Sequence, residues 1–373
     1  MLSRFLMSRM LMMIQIPSKQ AVAVALQLKK DLVDQGLLDI SQVTLESVLF
    51  EALAKAGFEG PEFQRRYRRV QGFLQERSPL LVLVSGPPCS FKSRVAMQLS
   101  ARLNIANVLQ SDLIHHVVRR FAGPAAAADV DVPLMLRPGD LSREGFLAAY
   151  GAECRAMRAA LEADLAKCRK ASEAASFARK ALALPATHQT AILPACARRG
   201  LQDGKQLLAE GMHLDPAIYV PELEPSMNLV RDMETGTRVA AAAASDDSGP
   251  SCSCGHDGRA GVLAPVVLLP AAREAPALLA SWYEREVQAC GAGRGPPLPP
   301  EGVCSLDVFV QRHEWLSQHL KDTCVRLGLP CLEVSMADSG PTVDHIQSLV
   351  MNCILSSGPP RENPEGGPPG PAV

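Results

Sequence analysis

Aromatic residues are scarce in this chain: 2 Trp, 4 Tyr and 10 Phe among 373 residues. Proteins that hold single-stranded nucleic acid need aromatic platforms along a basic groove. The basic half is missing as well, because 38 Lys and Arg stand against 39 Asp and Glu. That balance excludes a nucleic-acid footprint and an acidic tail. No apolar run approaches the ~20 residues of a membrane span, so no membrane partner is expected. Acidic residues are absent before Asp31, while Arg4, Arg9, Lys19, Lys29 and Lys30 are basic. Organelle presequences share that pattern, and so do ordinary amphipathic helices. The 11 cysteines are scattered singly with no secretory signal. Reduced thiols and a cytoplasmic location are the expectation, with an organelle presequence the alternative. There is no internal repeat.

What is present is ample core material: 47% of residues are hydrophobic. The length suits two domains, or one domain with insertions. Residues 1–76 read as helical. Ala21, Val24, Ala25, Leu28 and Leu32 recur at helical spacing after Pro17 and Ser18, and Leu49-Phe50 follow Thr44 and Ser47 in a second helix. Arg65, Arg66, Arg68 and Arg69 form a basic cluster that reads as a solvated helix face. From Leu80 the pattern becomes short apolar strands alternating with helices, which implies a parallel sheet. Five strands are expected, at Leu80–Ser85, Asn107–Leu109, Gln206–Glu210, Val266–Leu269 and Pro330–Val334. Helices are expected at Lys92–Leu103, Leu113–Arg120, Glu144 to about Lys170, Ala275–Gln288, Leu306–Arg326 and Val343–Leu355. The fold class is therefore α/β, with the sheet-bearing domain over 77–356. Low-complexity inserts are read at 171–197 and 227–261, and 357–373 as a disordered tail.

One stretch carries chemistry at once. Leu80 to Ser93 reads LLVLVSGPPCSFKS, the G-x-x-x-x-G-K-[ST] phosphate loop with Phe91 in place of its second glycine. Backbone N–H groups of such a loop cradle phosphate oxygens at a helix start. Gly86, Pro87, Pro88, Cys89, Ser90, Phe91, Lys92, Ser93 and Arg94 make up the candidate nucleotide loop. Lys92 would neutralise the β- and γ-phosphates, and the Ser93 hydroxyl would hold Mg²⁺. Phe91 occupies a position that calls for left-handed backbone, a strain of order 1–3 kcal/mol for a bulky residue. Pro87 and Pro88 offer no N–H to a phosphate.

Further candidates lie where the strands end, the place where ligands sit in such sheets. Asp112 could take a proton from an acceptor hydroxyl or hold a metal-bound water, or simply cap a helix. Arg119, seven residues on, shares its helix face and could reach an anionic substrate. Glu210 could organise Mg²⁺ waters or pair with a nearby cation. His213 and Asp215 are weaker candidates, His213 reading rather as structural. Arg155 and Arg158 share a face and read equally as a phosphate contact or a solvated surface. Arg273 and Arg285 could belong to a closing lid. Cys252-Ser253-Cys254-Gly255-His256 has the wrong spacing for zinc.

Together the segments VLVSGPPCSFKS, NIANVLQSDLIHHVVRR, ECRAMRAALEADL and LQDGKQLLAEGMHLDPAIY resemble the 2-phosphoglycerate kinase family. The likeness is closest to its plant members linked to low phytic acid, and GMHLDP is its most specific part. SRMLMMIQIPSKQAVAVALQLKKDLV, LLDIS and RRYRRVQGFL resemble the helical, ATP-cone-like region that precedes the kinase domain. That likeness starts within the first ten residues and argues against a cleaved presequence. The resemblance implies a P-loop kinase fold with a five-stranded parallel sheet, ATP and Mg²⁺ as cofactors, and phosphoryl transfer to a small phosphorylated metabolite such as 2-phosphoglycerate or an inositol phosphate. It places Gly86, Lys92 and Ser93 in the nucleotide loop, and Asp112, Arg119, Glu210, Gly211, His213 and Pro216 in the motifs after strands two and three. The chain departs from the family at Phe91 and at Arg94, where threonine is usual.

Two functions follow from different classes. One is an ATP-dependent kinase using Lys92, Asp112, Arg119 and Glu210, with Ser93, Asp112 and Glu210 around the metal. The other is a degenerate P-loop protein acting as a nucleotide sensor or interaction module, docking a protein partner through its N-terminal helices. Phe91 discriminates between them: negative φ in a relaxed nest favours the enzyme, and a collapsed loop with the ring in the phosphate site favours the module.

Overall fold

The computed structural model describes residues 3–36, 40–76, 78–121, 132–139, 141–170, 206–232, 261–291 and 302–356. The low-complexity segments 171–197 and 233–260, and the tail 357–373, lie outside the described residues. The elements run α1 Arg4–Met13, α2 Ser18–Asp34, α3 Gln42–Lys55, α4 Pro61–Gln75, β1 Leu80–Ser85, α5 Lys92–Arg102, β2 Asn107–Gln110, α6 Ser111–Phe121 and α7 Arg143–Ala160. They continue with β3 Leu207–Gly211, α8 Pro216–Leu223, β4 Met227–Leu229, β5 Gly261–Pro270, α9 Ala275–Gly291, α10 Leu306–Leu327, β6 Cys331–Val334 and α11 Gly340–Ser356. Among the described residues no helix is long and apolar enough to cross a membrane.

The sheet is parallel throughout, in the order β2-β3-β1-β5-β4, with β6 also on β5. This is the parallel α/β sheet that the strand pattern implies, and it is consistent with the P-loop kinase fold that the family resemblance implies. Two strand readings need correction. Met227–Leu229 pairs with β5 and is buried, so the second insert begins after β4 rather than at residue 227. β5 also starts at Gly261, five residues before the expected strand. Pro265 concealed it, since a proline argues against a central strand. The register shows why it is tolerated. The Val262 N–H donates toward β1, to Pro79 O, whereas the Val267 N–H donates to Pro330 O on the opposite side. By that alternation the missing N–H of Pro265 would face the side where β4 has ended at Leu229 and β6 has not begun. The expected long helix from Glu144 breaks at Leu161, whose N–H caps α7, and resumes over 162–170.

Strand side chains alternate between two cores. Leu80, Val82 and Val84 face one, and Leu81 and Leu83 the other. The first core is built with α1–α5 and α11, the second with α7, α8, α9 and α10. The N-terminal helices therefore share apolar packing with the sheet. Leu11, Met13, Leu28 and Val70 sit in the same cluster as Val82 and Val95. Polar contacts add to it, with Gln347 donating to Met12 O at 2.6 Å and Arg69 to Leu355 O at 3.2 Å. The α4 arginines are engaged with their own chain: Arg65 and Arg66 pair with Glu62, and Arg68 with Glu46.

Parallel pairing brings three strand ends to one rim. Ser85 is in register with Gly211, and Gln110 with Glu210. Glycine is required twice there. A Cβ on Gly86 would lie 2.2 Å from Leu268 O, and one on Gly211 would lie 1.8 Å from Ser111 Oγ. Both have positive φ, 156° and 146°.

A shared core has a measurable consequence. Leu11→Ala removes a fully buried side chain, an expected loss of about 2–5 kcal/mol. Urea unfolding should remain one cooperative transition, shifted as a whole. Two separated transitions, with only the first one moved, would show that α1–α4 fold as an independent domain.

Candidate active site

The rim opens on a cleft of about 500 Å³ lined by the β1–α5 loop, α6, α7, α9 and the 133–135 segment. The loop backbone is left-handed at two positions. Phe91 stands at φ 53°, ψ 26°, left-handed, immediately before α5, and Cys89 is also left-handed at φ 64°. The negative φ set out above as the mark of a relaxed nest is not what occurs, and neither is the collapse. The Phe91 ring is half-buried, packed against the first core while bordering the cleft. Apolar contact therefore offsets the left-handed strain.

The loop is tied down by its own carbonyls. Pro87 O accepts from Ser90 Oγ and from Lys92 Nζ, each at 2.8 Å. Pro88 O lies 3.1 Å from His313 Nε2 on α10. The prolines lack donors, but their acceptors fix the turn. Burial holds the Lys92 ammonium below its ordinary pKa, against the pull of Asp112 and Glu210. Cys89 Sγ donates to Leu278 O, and burial pushes its thiol up to about 11. Arg94 is exposed at the rim, donating to Met336 O at 2.7 Å.

Ser93 Oγ donates to Glu210 Oε1 at 2.7 Å. Glu210 Oε2 is buried and has no hydrogen-bond partner. Burial and the Asp112 charge push this carboxyl above its usual range, against Ser93 and Lys92. Glu210 thus pairs with a hydroxyl rather than with a surface cation.

Asp112 lies in the first turn of α6, half-open to the cleft. Its Oδ1 accepts from the Met212 N–H at 3.2 Å and lies 3.3 Å from His213 Nδ1. Burial alone would raise its pKa; His213, Lys92 and the Met212 amide outweigh that and hold it at about 2. His213, read from the sequence as structural, is buried at the cleft wall. Its Nε2 lies 3.5 Å from Glu153 Oε2, and its ring lies against His115, tilted by 30° with centroids 4.1 Å apart. These ring contacts are ion-pair approaches rather than aligned hydrogen bonds. Burial opposes the His213 charge, but the two carboxylates prevail and raise its pKa.

Other candidates separate from the cleft. Asp215 caps α8 through the Ala217 N–H at 2.9 Å and meets His319 Nε2 at 2.8 Å, and Pro216 opens that helix. Arg158 is buried in ion pairs with Glu222 and Glu162, so it is neither a phosphate contact nor a solvated face. Arg285 is exposed along the cleft wall. Arg119 is carried on α6, with its side chain outside the described residues, as are residues 252–256. Sequence reasoning missed His115, Glu153, His313 and Arg312. His115 follows Asp112 by three residues, a spacing that puts both on one helix face. Arg312 is fully buried and donates to the carbonyls of Leu134, Met135, Arg137 and Gly139, pinning the segment that walls the cleft.

Over about a third of its length the chain is similar to archaeal proteins. It is 28% identical over 122 residues to the 2-phosphoglycerate kinase of Pyrococcus furiosus, a match covering 33% of this chain and 40% of that protein. It is 30% identical over 118 residues to the 2-phosphoglycerate kinase of Methanopyrus kandleri, covering 32% and 35%. The Pyrococcus horikoshii protein of the same name is 28% identical over 122 residues. The chain thus spans well under half the length of the curated relatives it matches. No protein-family model and no solved structure matches it.

The anchor at His313 predicts a pH dependence. Burial first, and Lys92 in addition, lower its pKa to about 4 against the pull of Pro88 O. The unfolded chain protonates this imidazole near 6.5, before the folded one does. Stability is therefore lost as pH falls from about 6.5 toward about 4, by roughly 2–4 kcal/mol. Urea denaturation of the wild type and His313→Gln across this window should show a shallower slope in the variant. Equal slopes would mean that His313 is not held neutral.

Proposed function

We propose that this chain is an ATP-dependent kinase that phosphorylates a hydroxyl of a small phosphorylated metabolite of the 2-phosphoglycerate kind. The observation that carries the reading is the rim itself: a left-handed loop at the start of α5, with Lys92, Ser93, Glu210 and Asp112 converging around one cleft. The similarity to archaeal 2-phosphoglycerate kinases supports the acceptor class.

The residues fit the nucleotide and its metal. Lys92 Nζ is occupied by Pro87 O and can exchange that carbonyl for a phosphate oxygen. Ser93 Oγ, the orphaned Glu210 Oε2 and Asp112 would hold Mg²⁺ or its waters. Bound there, Mg²⁺ would supply charge neutralisation at the β- and γ-phosphate oxygens.

The chain's own groups account for the rest. The loop amides and Lys92 orient the triphosphate. In the transfer, the acceptor oxygen bonds to the γ-phosphorus, and the bond from that phosphorus to the ADP oxygen breaks. A carboxylate held at about 2 is a weak proton acceptor. The task of Asp112 is accordingly to align the hydroxyl through an accepted hydrogen bond, receiving its proton late. Arg285 and Arg94 line the cleft as cations for the acceptor's anionic groups.

Titration calorimetry with MgATP tests the first half of this reading. Wild type should bind, and Lys92→Ala should weaken binding at least about tenfold, or ~1.4 kcal/mol. ADP release with 2-phosphoglycerate, and with inositol phosphates as competing acceptors, tests the second half. Asp112→Asn should abolish transfer while leaving MgATP affinity within a small factor. Absence of MgATP binding by the wild type would overturn the reading and favour an interaction module. A loss of stability alone in Asp112→Asn would reduce Asp112 to a helix cap.

A further inference from the structure

Deeper in the cleft, away from the loop, lies a cluster that the kinase reading leaves without a task. His115 on α6, Glu153 on α7 and His213 after β3 each present one ligand atom, all within 4.8 Å of one another. Glu153 Oε2 is the common point, 3.5 Å from His213 Nε2 and 3.8 Å from His115 Nε2. A tetrahedral zinc ion with bonds of 2.0–2.2 Å spaces its ligand atoms about 3.3–3.5 Å apart. The two distances to Glu153 Oε2 are close to that spacing as they stand.

The unfilled valences point the same way. Glu153 Oε2 and His213 Nε2 are buried side-chain atoms without a hydrogen-bond partner, an arrangement that native interiors avoid. The outer atoms of the same groups have charged neighbours, although His213 Nδ1, like Nε2, makes no aligned hydrogen bond. Glu153 Oε1 pairs with Arg137, and His213 Nδ1 lies 3.3 Å from Asp112 Oδ1. A carboxylate behind the far nitrogen of a ligating imidazole fixes its tautomer and turns Nε2 inward. All three residues line the cleft, so a fourth position would open onto it.

We infer that His115, Glu153 and His213 form a zinc-type divalent cation site. Two imidazole nitrogens and one carboxylate oxygen are the ligands, and the fourth position is open to water or to an oxygen of a bound small molecule. Two nitrogens and one oxygen suit zinc better than Mg²⁺, which prefers oxygen ligands in octahedral geometry. The inference stands on these residues alone and does not depend on the kinase reading.

The test uses the full chain stripped with EDTA. Zinc is titrated against a chromogenic chelator, and Co²⁺ is added separately as a spectroscopic probe. One zinc per chain is expected. The Co²⁺ adduct should show visible d–d bands without thiolate-to-cobalt charge transfer, a distinction that matters in a chain with 11 cysteines. Glu153→Gln and His213→Ala should each lose this binding. Should those variants misfold, the wild-type cobalt spectrum decides. Absence of zinc binding, a thiolate charge-transfer band, or folded variants that retain the metal would overturn the inference.

Discussion

The left-handed turn at Phe91 is the constraint on which the site depends. α5 starts at Lys92, and the residue that turns the chain into it has positive φ. Glycine would take that conformation without strain. Phenylalanine takes it under compulsion from three sides: its ring against the core, Pro87 O gripped by Ser90 and Lys92, and Pro88 O at His313. Strain of order 1–3 kcal/mol persists only where its surroundings over-determine it. Here the surroundings are a buried loop on a fully buried central strand.

From that turn outward, charge is arranged in two tiers. Near the loop, Lys92 faces Asp112 and Glu210 across the rim. Further in, His213 bridges Asp112 and Glu153, and Glu153 is backed by Arg137. Asp112 belongs to both tiers. Its low pKa and its contact with the Met212 amide make it a fixed negative point between the nucleotide end and the inner cluster. Gly211 permits this closeness, since any side chain there would collide with Ser111.

Much of this was legible in the sequence. The apolar run of β1, the switch to helical spacing at Lys92, and the acids following β2 and ending β3 gave the parallel sheet and the rim. β5 was half hidden because Pro265 looks forbidding until the alternation of its neighbours' N–H directions is known. β4 was lost in an alanine- and glycine-rich stretch because three residues carry too little pattern. Glu153 and His313 sit on long amphipathic helices, where a single polar residue looks like any other. Only tertiary packing brings them beside His213 and Pro88. Phe91 marks the limit of local reasoning, since the conformation that its side chain resists is imposed by contacts far off in sequence.

The central claim is that the loop already has its phosphate-cradling shape with phenylalanine in place. MgATP affinity of Phe91→Gly, measured beside the wild type, tests it most directly. A preformed loop predicts affinities within about tenfold of each other, less than ~1.4 kcal/mol, because glycine relieves strain in free and bound states alike. An affinity gain well beyond tenfold would contradict the account, by showing that the wild-type loop must be forced into shape each time nucleotide binds.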